Sequence, residues 1–289
     1  MIAARATFAR HAVVAAVLSL AGALQTARAA EAQSPWGAGT LTQARIVLAQ
    51  DGLSPAGTVE GAIEIVLPPG ARTYWAFPGP NGFEPAIATA GSVNLGRFDV
   101  RWPTPRPFAT SQAPGFESAG YRDGVTLPFE VAAADRTRPV ALALEIELGV
   151  CDDLCVPDFV ALDLVISAGT GTRSVHAERI AMARAGLPAS SAIAGLRIVE
   201  IVRRSPGAPL VVRAQSPQGF AEPVLFVEST APHCGTIVAP TTRRGEEADF
   251  HVAPACARGD SLAVILSDGA AAVRADLPVR DGLSGPSRD

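Results

Sequence analysis

Two alternating apolar segments, joined by a short loop with a cysteine at each end, constrain the fold of this chain most strongly. Residues Val140–Leu148 and Asp158–Ile166 alternate with period two and are rich in β-branched side chains, which predicts two strands that each bury one face. Cys151 and Cys155 enclose three residues between them. Facing residues of paired strands lie about 4.5–5.5 Å apart at Cα, close enough for a disulfide. A helix would also align positions four apart, but the strand flanks and Pro157 disfavour it.

The N-terminus has the three parts of an export signal. Two arginines precede an apolar stretch at residues 12–24, and a small-x-small cleavage sequence follows at residues 27–29. The apolar stretch is too short to span a bilayer, and no later apolar run reaches eighteen residues. We therefore predict a signal peptide over residues 1–29, cleaved near Ala29 or Ala30, and no stable membrane insertion afterwards.

Composition favours a mainly β protein with two domains. The roughly 260 residues after the signal suit two domains with separate cores. Short alternating segments separated by Gly and Pro clusters are typical of β proteins. Loss of the signal removes three arginines and no acid, so the net charge moves from −4 to −7. This charge gives no support for a nucleic-acid or anionic-lipid partner.

The pattern of strands and turns divides the chain. Residues 35–168 contain seven to nine candidate strands, the number typical of an immunoglobulin-like β-sandwich. The aromatic strand at residues 71–77, with Tyr74, Trp75 and Phe77, is expected to pack in that sandwich. The Pro-, Gly- and Ser-rich segment Pro103–Gly120 is expected to be a loop.

The second half of the chain is also predicted to be mainly β and to form a smaller domain. Residues 169–195 are predicted to be a linker with a short helix over Val175–Ala185. Residues 196–280 carry six candidate strands, which predicts a second, smaller β-sandwich-like domain. The polar residues 281–289 are expected to be a disordered tail.

Four cysteines in an exported chain are expected to form disulfides. Of the three possible pairings, the close spacing favours Cys151 with Cys155, which leaves Cys234 with Cys256 as a structural disulfide of the second domain. The alternative for the distant pair is a Cys2His2 zinc or copper site with His233 and His251. Its spacings match no zinc signature, so we predict no metal and no cofactor.

Several short motifs occur in the order seen in one protein family. They are Arg72-Thr73-Tyr74-Trp75, Pro78-Gly79, Val100-Arg101-Trp102-Pro103, Gly120-Tyr121-Arg122-Asp123, Leu127-Pro128 and Cys151-x3-Cys155-x-Pro157. In this respect the chain resembles the periplasmic N-terminal domain of the DsbD thiol:disulfide interchange proteins, in the suppressor-of-copper-sensitivity B branch. The resemblance covers roughly residues 36–168.

The resemblance implies a function and a site. It implies a periplasmic thiol:disulfide oxidoreductase that relays electrons from a membrane-embedded thiol reductase to thioredoxin-like proteins, in a context of copper tolerance. Cys151 and Cys155 occupy the positions of the redox-active pair, with Cys155 as the one that contacts the partner. The family covers its disulfide with a mobile cap loop, which would be Phe108–Glu117 here, with Phe116 or else Phe108 as the shielding ring.

The chain also departs from the family pattern. It has no membrane channel, no thioredoxin domain and no Cys-x-x-Cys sequence, so we expect a stand-alone exported protein that receives electrons from another polypeptide. Asp152 and Asp153 between the cysteines are expected to raise the pKa of either free thiol. The alternative is a non-catalytic β-sandwich binding module with two structural disulfides, for which copper handling is one candidate role.

Overall fold

The structure is a computed structural model that describes residues 32–109, 117–169, 171–190, 192, 195–231 and 234–282. The predicted signal peptide, Phe116, His233 and residues 283–289 of the predicted tail lie outside the described residues. Within the described part, the fold is almost entirely β and divides between two domains. No helix in that part is both long enough and apolar enough to cross a bilayer.

The first domain is a sandwich of two antiparallel sheets. Its described strands are β1 (Gly37–Ala38), β2 (Gln43–Leu48), β3 (Thr58–Val66), β4 (Arg72–Tyr74), β5 (Ala86–Ala88), β6 (Leu95–Val100), β7 (Arg106–Ala109), β8 (Glu117–Arg122), β9 (Gly124–Ala133), β10 (Val140–Cys151) and β11 (Cys155–Ile166). One sheet has the order β1-β2-β3-β9-β6. The other has the order β11-β10-β4-β8-β7, and β5 also pairs with β10.

The two sheets enclose one apolar core, and the immunoglobulin-like sandwich predicted from the sequence is confirmed. Alternate residues of β10, from Val140 to Val150, point into this core, where they meet Ile46, Ile63 and Phe129 of the opposite sheet. Period-two alternation leaves the other face of β10 outside the core. The side chain of Cys151 lies on that outer face.

The predicted loop between Pro103 and Gly120 contains two strands. Segment Pro103–Gly120 was expected to be a loop, but β7 lies within it and β8 begins at Glu117. These strands pair in register, with Arg106 opposite Gly120. Strands this short carry too little alternation to be recognised from sequence, so the prediction of a loop there was wrong for these residues.

The short helix predicted after the sandwich is present as α1 (Ala177–Ala185). Ile180 of α1 is buried against Val47 and Ala62 on the outer face of the first sheet. Beside this contact, Glu64 accepts hydrogen bonds from Arg45 at 2.6 Å and from Arg179 of α1 at 2.7 Å. The helix therefore packs onto the first domain.

The second domain is one eight-stranded sheet that folds around its own core. Its described strands are β12 (Arg197–Arg203), β13 (Leu210–Gln215), β14 (Pro223–Val227), β15 (Ile237–Val238), β16 (Thr242–Arg244), β17 (Glu247–Val252), β18 (Ser261–Asp268) and β19 (Ala271–Asp281). Their order is β15-β14-β18-β19-β12-β13-β17-β16. Side chains from both halves of this sheet fill a single core, which gives the expected sandwich-like packing. Strand β19 continues through Asp281, which was expected to belong to the tail.

An aromatic cluster joins the two domains. Trp75, just after β4, is 1% exposed and packs against Phe226 of β14 and Ile265 of β18. The Trp75 and Phe226 rings lie 6.0 Å apart at their centroids, edge to face. The expectation that Trp75 and Phe77 pack inside the sandwich was therefore wrong, because these residues cover the face that meets the second domain.

A buried carboxylate fixes the N-terminal segment beside the hairpin. Asp158 of β11 is 2% exposed and accepts hydrogen bonds from the backbone N–H groups of Thr40 (2.7 Å), Leu41 (2.9 Å) and Thr42 (2.7 Å). Burial acts to raise the pKa of Asp158, but these hydrogen bonds outweigh burial and hold the pKa below its ordinary value. The ionised form is therefore the one that stabilises the fold.

We predict that Asp158→Asn lowers the free energy of unfolding by about 1.5–3 kcal/mol at neutral pH, because charge-assisted hydrogen bonds are lost. A carboxylate with a lowered pKa contributes stability above its unfolded-state pKa, and that contribution is lost as the pH falls through the folded-state pKa. The difference from the unmodified protein should therefore shrink towards about pH 3. Urea unfolding across this pH range measures both effects.

Asp163→Asn is the matched control, because Asp163 is an exposed residue of the same strand. It should leave the unfolding free energy nearly unchanged. A difference between Asp158→Asn and the unmodified protein that stays constant with pH would contradict this account.

Candidate functional site

The candidate site is the tip of the β10–β11 hairpin. The two strands pair without interruption from Val140 opposite Ile166 to Cys151 opposite Cys155. The two cysteines lie 4.0 Å apart at Cα and form a disulfide, as the spacing predicted. Twelve paired positions hold this bond at the end of a long ladder, so the hairpin is fixed by its backbone and not by its sulfurs.

The two cysteines differ in their access to solvent. Cys151 is 3% exposed, whereas Cys155 belongs to the exposed end of β11. Leu154, in the loop between them, is 79% exposed. Since thiol–disulfide exchange requires a partner sulfur to approach in line with the bond, only Cys155 presents itself to a large partner. This geometry supports the prediction that Cys155 contacts the partner.

A tyrosine hydroxyl contacts the disulfide. Tyr74 of β4 is 2% exposed, and its hydroxyl lies 3.1 Å from the Sγ atom of Cys155. A disulfide sulfur carries no hydrogen, so the hydroxyl is the donor. Burial raises the pKa of Tyr74, which keeps the group protonated at neutral pH and able to donate to a Cys155 thiolate as well.

Sequence reasoning missed this contact. It placed Tyr74 in the core, which agrees with its burial, but gave it no role at the disulfide. The available signal was weak: Tyr74 belongs to one of the motifs that carry the family resemblance. Nothing in the local sequence shows that β4 pairs with β10, where Arg72 lies opposite Cys151 and Thr73 lies opposite Val150.

One of the two predicted cap residues lies near the site. Phe108 of β7 packs on Tyr74, with ring centroids 5.5 Å apart, and Tyr74 in turn contacts the disulfide. Phe116 lies outside the described residues. The shielding role assigned to the segment Phe108–Glu117 therefore stays a prediction.

Charges of both signs surround the hairpin tip. Asp152 and Asp153 are exposed in the loop, and the backbone N–H of Asp152 donates to the carbonyl of Leu154 at 3.2 Å. Arg72 lies directly opposite Cys151 on the neighbouring strand. A nearby cation favours a thiolate and a nearby anion disfavours it, so Arg72 opposes the effect on thiol pKa that the two aspartates were expected to have.

The second cysteine pair has a different environment. Cys234 and Cys256 form a disulfide, with a Cα separation of 5.1 Å, and each is 1% exposed within the core of the second domain. This bond uses the two sulfurs that a Cys2His2 site would need. His251 is exposed on β17, His233 lies outside the described residues, and the described part contains no cluster of three metal-ligating side chains.

A family model and a solved structure are similar to this chain. Residues 43–166 match the family model described as thiol:disulfide interchange protein DsbD, N-terminal. The solved structure of the N-terminal periplasmic domain of ScsB from Proteus mirabilis resembles the chain with a TM-score of 0.67 at 21% sequence identity, over 87% of this chain and 100% of that one. This likeness shows the fold, and its extent takes it past residues 43–166 into the second domain. No curated protein matches the sequence.

We predict that Tyr74→Phe makes the Cys155 thiol harder to ionise. The variant removes a hydrogen bond that stabilises the charged form of the sulfur, worth about 1.5–3 kcal/mol, so a higher pH should be needed to ionise the Cys155 thiol. The measurement is the rate of Cys155 alkylation in the reduced protein as a function of pH, with each cysteine resolved by mass spectrometry.

Tyr121→Phe is the matched control, because the Tyr121 hydroxyl donates to the carbonyl of Pro103 at 2.8 Å and not to a sulfur. Its alkylation profile should follow that of the unmodified protein. If both variants had the same alkylation profile as the unmodified protein, the Tyr74 hydroxyl would have no effect on the Cys155 thiol.

Proposed function

We propose that this protein is a thiol–disulfide interchange module, because residues 43–166 match the family model of the DsbD N-terminal domain. Its Cys151–Cys155 pair relays electrons from a membrane-embedded thiol reductase to periplasmic thioredoxin-like proteins. The observation that carries the proposal is the disulfide at the hairpin tip, with Cys155 exposed and Cys151 buried beneath it. Export by the predicted signal peptide would place the module in the periplasm.

Each of the two cysteines carries out one step of the proposed exchange. In the reduced form, the Cys155 thiolate attacks a disulfide sulfur of the partner, forms a mixed disulfide and expels one partner thiolate, which takes up a proton. The Cys151 thiolate then attacks the Cys155 sulfur, restores the internal disulfide and releases the second partner thiol. Two electrons pass from the module to the partner, and a membrane dithiol returns them to the module by the reverse steps.

The location of the bond favours a redox role over a structural one. A disulfide stabilises a fold mainly by closing a loop in the unfolded chain, and the effect falls with loop length to at most roughly 2–3 kcal/mol for a loop this short. The ladder from Val140 to Cys151 already fixes the hairpin. Opening the bond therefore removes little from the stability of the sandwich.

We expect Cys151→Ser to trap its redox partner. The variant keeps the exposed Cys155 nucleophile and lacks the thiol that resolves the mixed disulfide, so the covalent adduct accumulates. Tagged protein from acid-quenched cells, separated without reductant, should show a reductant-sensitive adduct in which mass spectrometry identifies a thioredoxin-like protein with a Cys-x-x-Cys sequence.

The control is the double variant Cys151→Ser with Cys155→Ser, which retains the Cys234–Cys256 bond and should trap nothing. Cys155→Ser alone should trap much less than Cys151→Ser, because its remaining thiol is buried. A Cys151→Ser protein that forms no adduct would contradict the relay and favour a binding module with two structural disulfides.

A further inference from the structure

Three arginines line an open cleft next to the disulfide. The cleft has a volume of about 990 Å³ and lies between the hairpin tip and strands β4, β7 and β8. Arg72, Arg106 and Arg122 come from these three strands, and Asp152 and Asp153 form part of the wall on the hairpin side. The relay mechanism uses none of the three arginines directly.

The register of the sheet places two of these arginines in one row with the disulfide. Cys155 lies opposite Cys151, Cys151 lies opposite Arg72, and Arg72 lies opposite Arg122. Residues that face one another across paired strands project from the same side of a sheet. The row therefore presents the sulfurs and two guanidinium groups on one surface. Neighbouring strands in this row are about 4.8 Å apart.

An anion would offset the repulsion between the two arginines that face each other. Like charges directly opposite each other on paired strands destabilise a sheet. Within the described residues, none of the three arginines forms an ion pair, although Asp152 and Asp153 line the same cleft. The cleft thus holds more positive than negative charge, and its cations are free to bind a carboxylate from outside.

Apolar side chains on the other side of the sulfurs indicate the kind of partner. Leu154 at the tip and Phe159 on the edge strand β11 are 79% and 60% exposed. Phe159 lies four positions after Cys155 and so shares its face of the strand. A surface with apolar side chains on one side of the sulfurs and arginines on the other suits a folded protein partner better than a small anion.

We propose that Arg72, Arg106 and Arg122 dock an acidic segment next to the reactive cysteine of a thioredoxin-like protein. This inference rests on the proposed function, because it identifies the chemistry of the partner for the same disulfide. Carboxylates on the arginine row hold the partner sulfur near Cys155, and guanidinium groups can bind each of them in a bidentate manner.

Peptide disulfides of graded charge test this docking. The full chain is reduced with dithiothreitol, freed of it and mixed with the homodisulfide of a peptide that carries glutamates on both sides of its cysteine. The matched peptides carry glutamine or lysine in place of glutamate. In each reaction the module dithiol is oxidised to the Cys151–Cys155 disulfide and the peptide disulfide is reduced to two thiols, followed by mass spectrometry after alkylation.

We expect the glutamate peptide to react about tenfold faster than the glutamine peptide at low ionic strength, and the lysine peptide to react more slowly than both. The preference should fall towards unity at about 1 M salt, where charges are screened within a few ångströms. Arg72→Gln with Arg122→Gln should abolish it, and Arg106→Gln alone should reduce it. The ratio compares two peptides on one protein, so any change in thiol reactivity cancels.

Arg138→Gln is the matched control. Arg138 is an exposed arginine in the turn before β10, and the strand from Val140 to Cys151 spans roughly 36 Å at about 3.3 Å per residue. This variant should keep the full preference for the glutamate peptide.

Equal rates for the three peptides would overturn the docking proposal, as would an unchanged preference in the Arg72 and Arg122 double variant. Glutathione disulfide that reacts faster than the glutamate peptide would also overturn it, since the arginines would then serve a small carboxylate substrate. Failure of all three peptides to react would refute the proposed function itself, and the docking proposal with it.

Discussion

The uninterrupted pairing of β10 with β11 is the constraint on which the site depends. Because the ladder runs in register from Val140 opposite Ile166 to the tip, it places Cys151 opposite Cys155 without help from the sulfurs. The same alternation that sends Val150 into the core sends Cys151 to the outer face. Core packing and the proposed redox chemistry thus use opposite sides of one strand, and opening the bond is expected to leave the sandwich packed.

The neighbouring strands give the two cysteines different surroundings. Strand β4 brings the Tyr74 hydroxyl to Cys155 and places Arg72 opposite Cys151. Cys151 is buried at the same time, whereas Cys155 is exposed. In the proposed relay, the exposed sulfur meets the partner and the buried sulfur completes the exchange. The buried Cys234–Cys256 bond has no such surroundings and serves the core of the second domain.

The sequence predicted the features that depend on neighbouring residues. The hairpin, the Cys151–Cys155 pairing and the sandwich follow from alternation and spacing within short segments, and the Cys234–Cys256 pairing follows by elimination. The contact between Tyr74 and Cys155 spans 81 positions, and the row from Cys151 to Arg122 depends on the order of three strands; no local pattern encodes either. The interface role of Trp75 was missed for a related reason, since an aromatic strand indicates burial but not which domain supplies the contact.

The most direct test of this account is the reduction potential of the Cys151–Cys155 bond, measured in glutathione buffers while near-ultraviolet circular dichroism follows the tertiary structure. If this bond relays electrons, its reduction potential should be roughly −180 to −230 mV. The tertiary signal should stay unchanged on reduction, because the hairpin is held by its backbone pairing. A potential below roughly −300 mV, or loss of the tertiary signal as the bond opens, would show that the disulfide is a structural part of the sandwich.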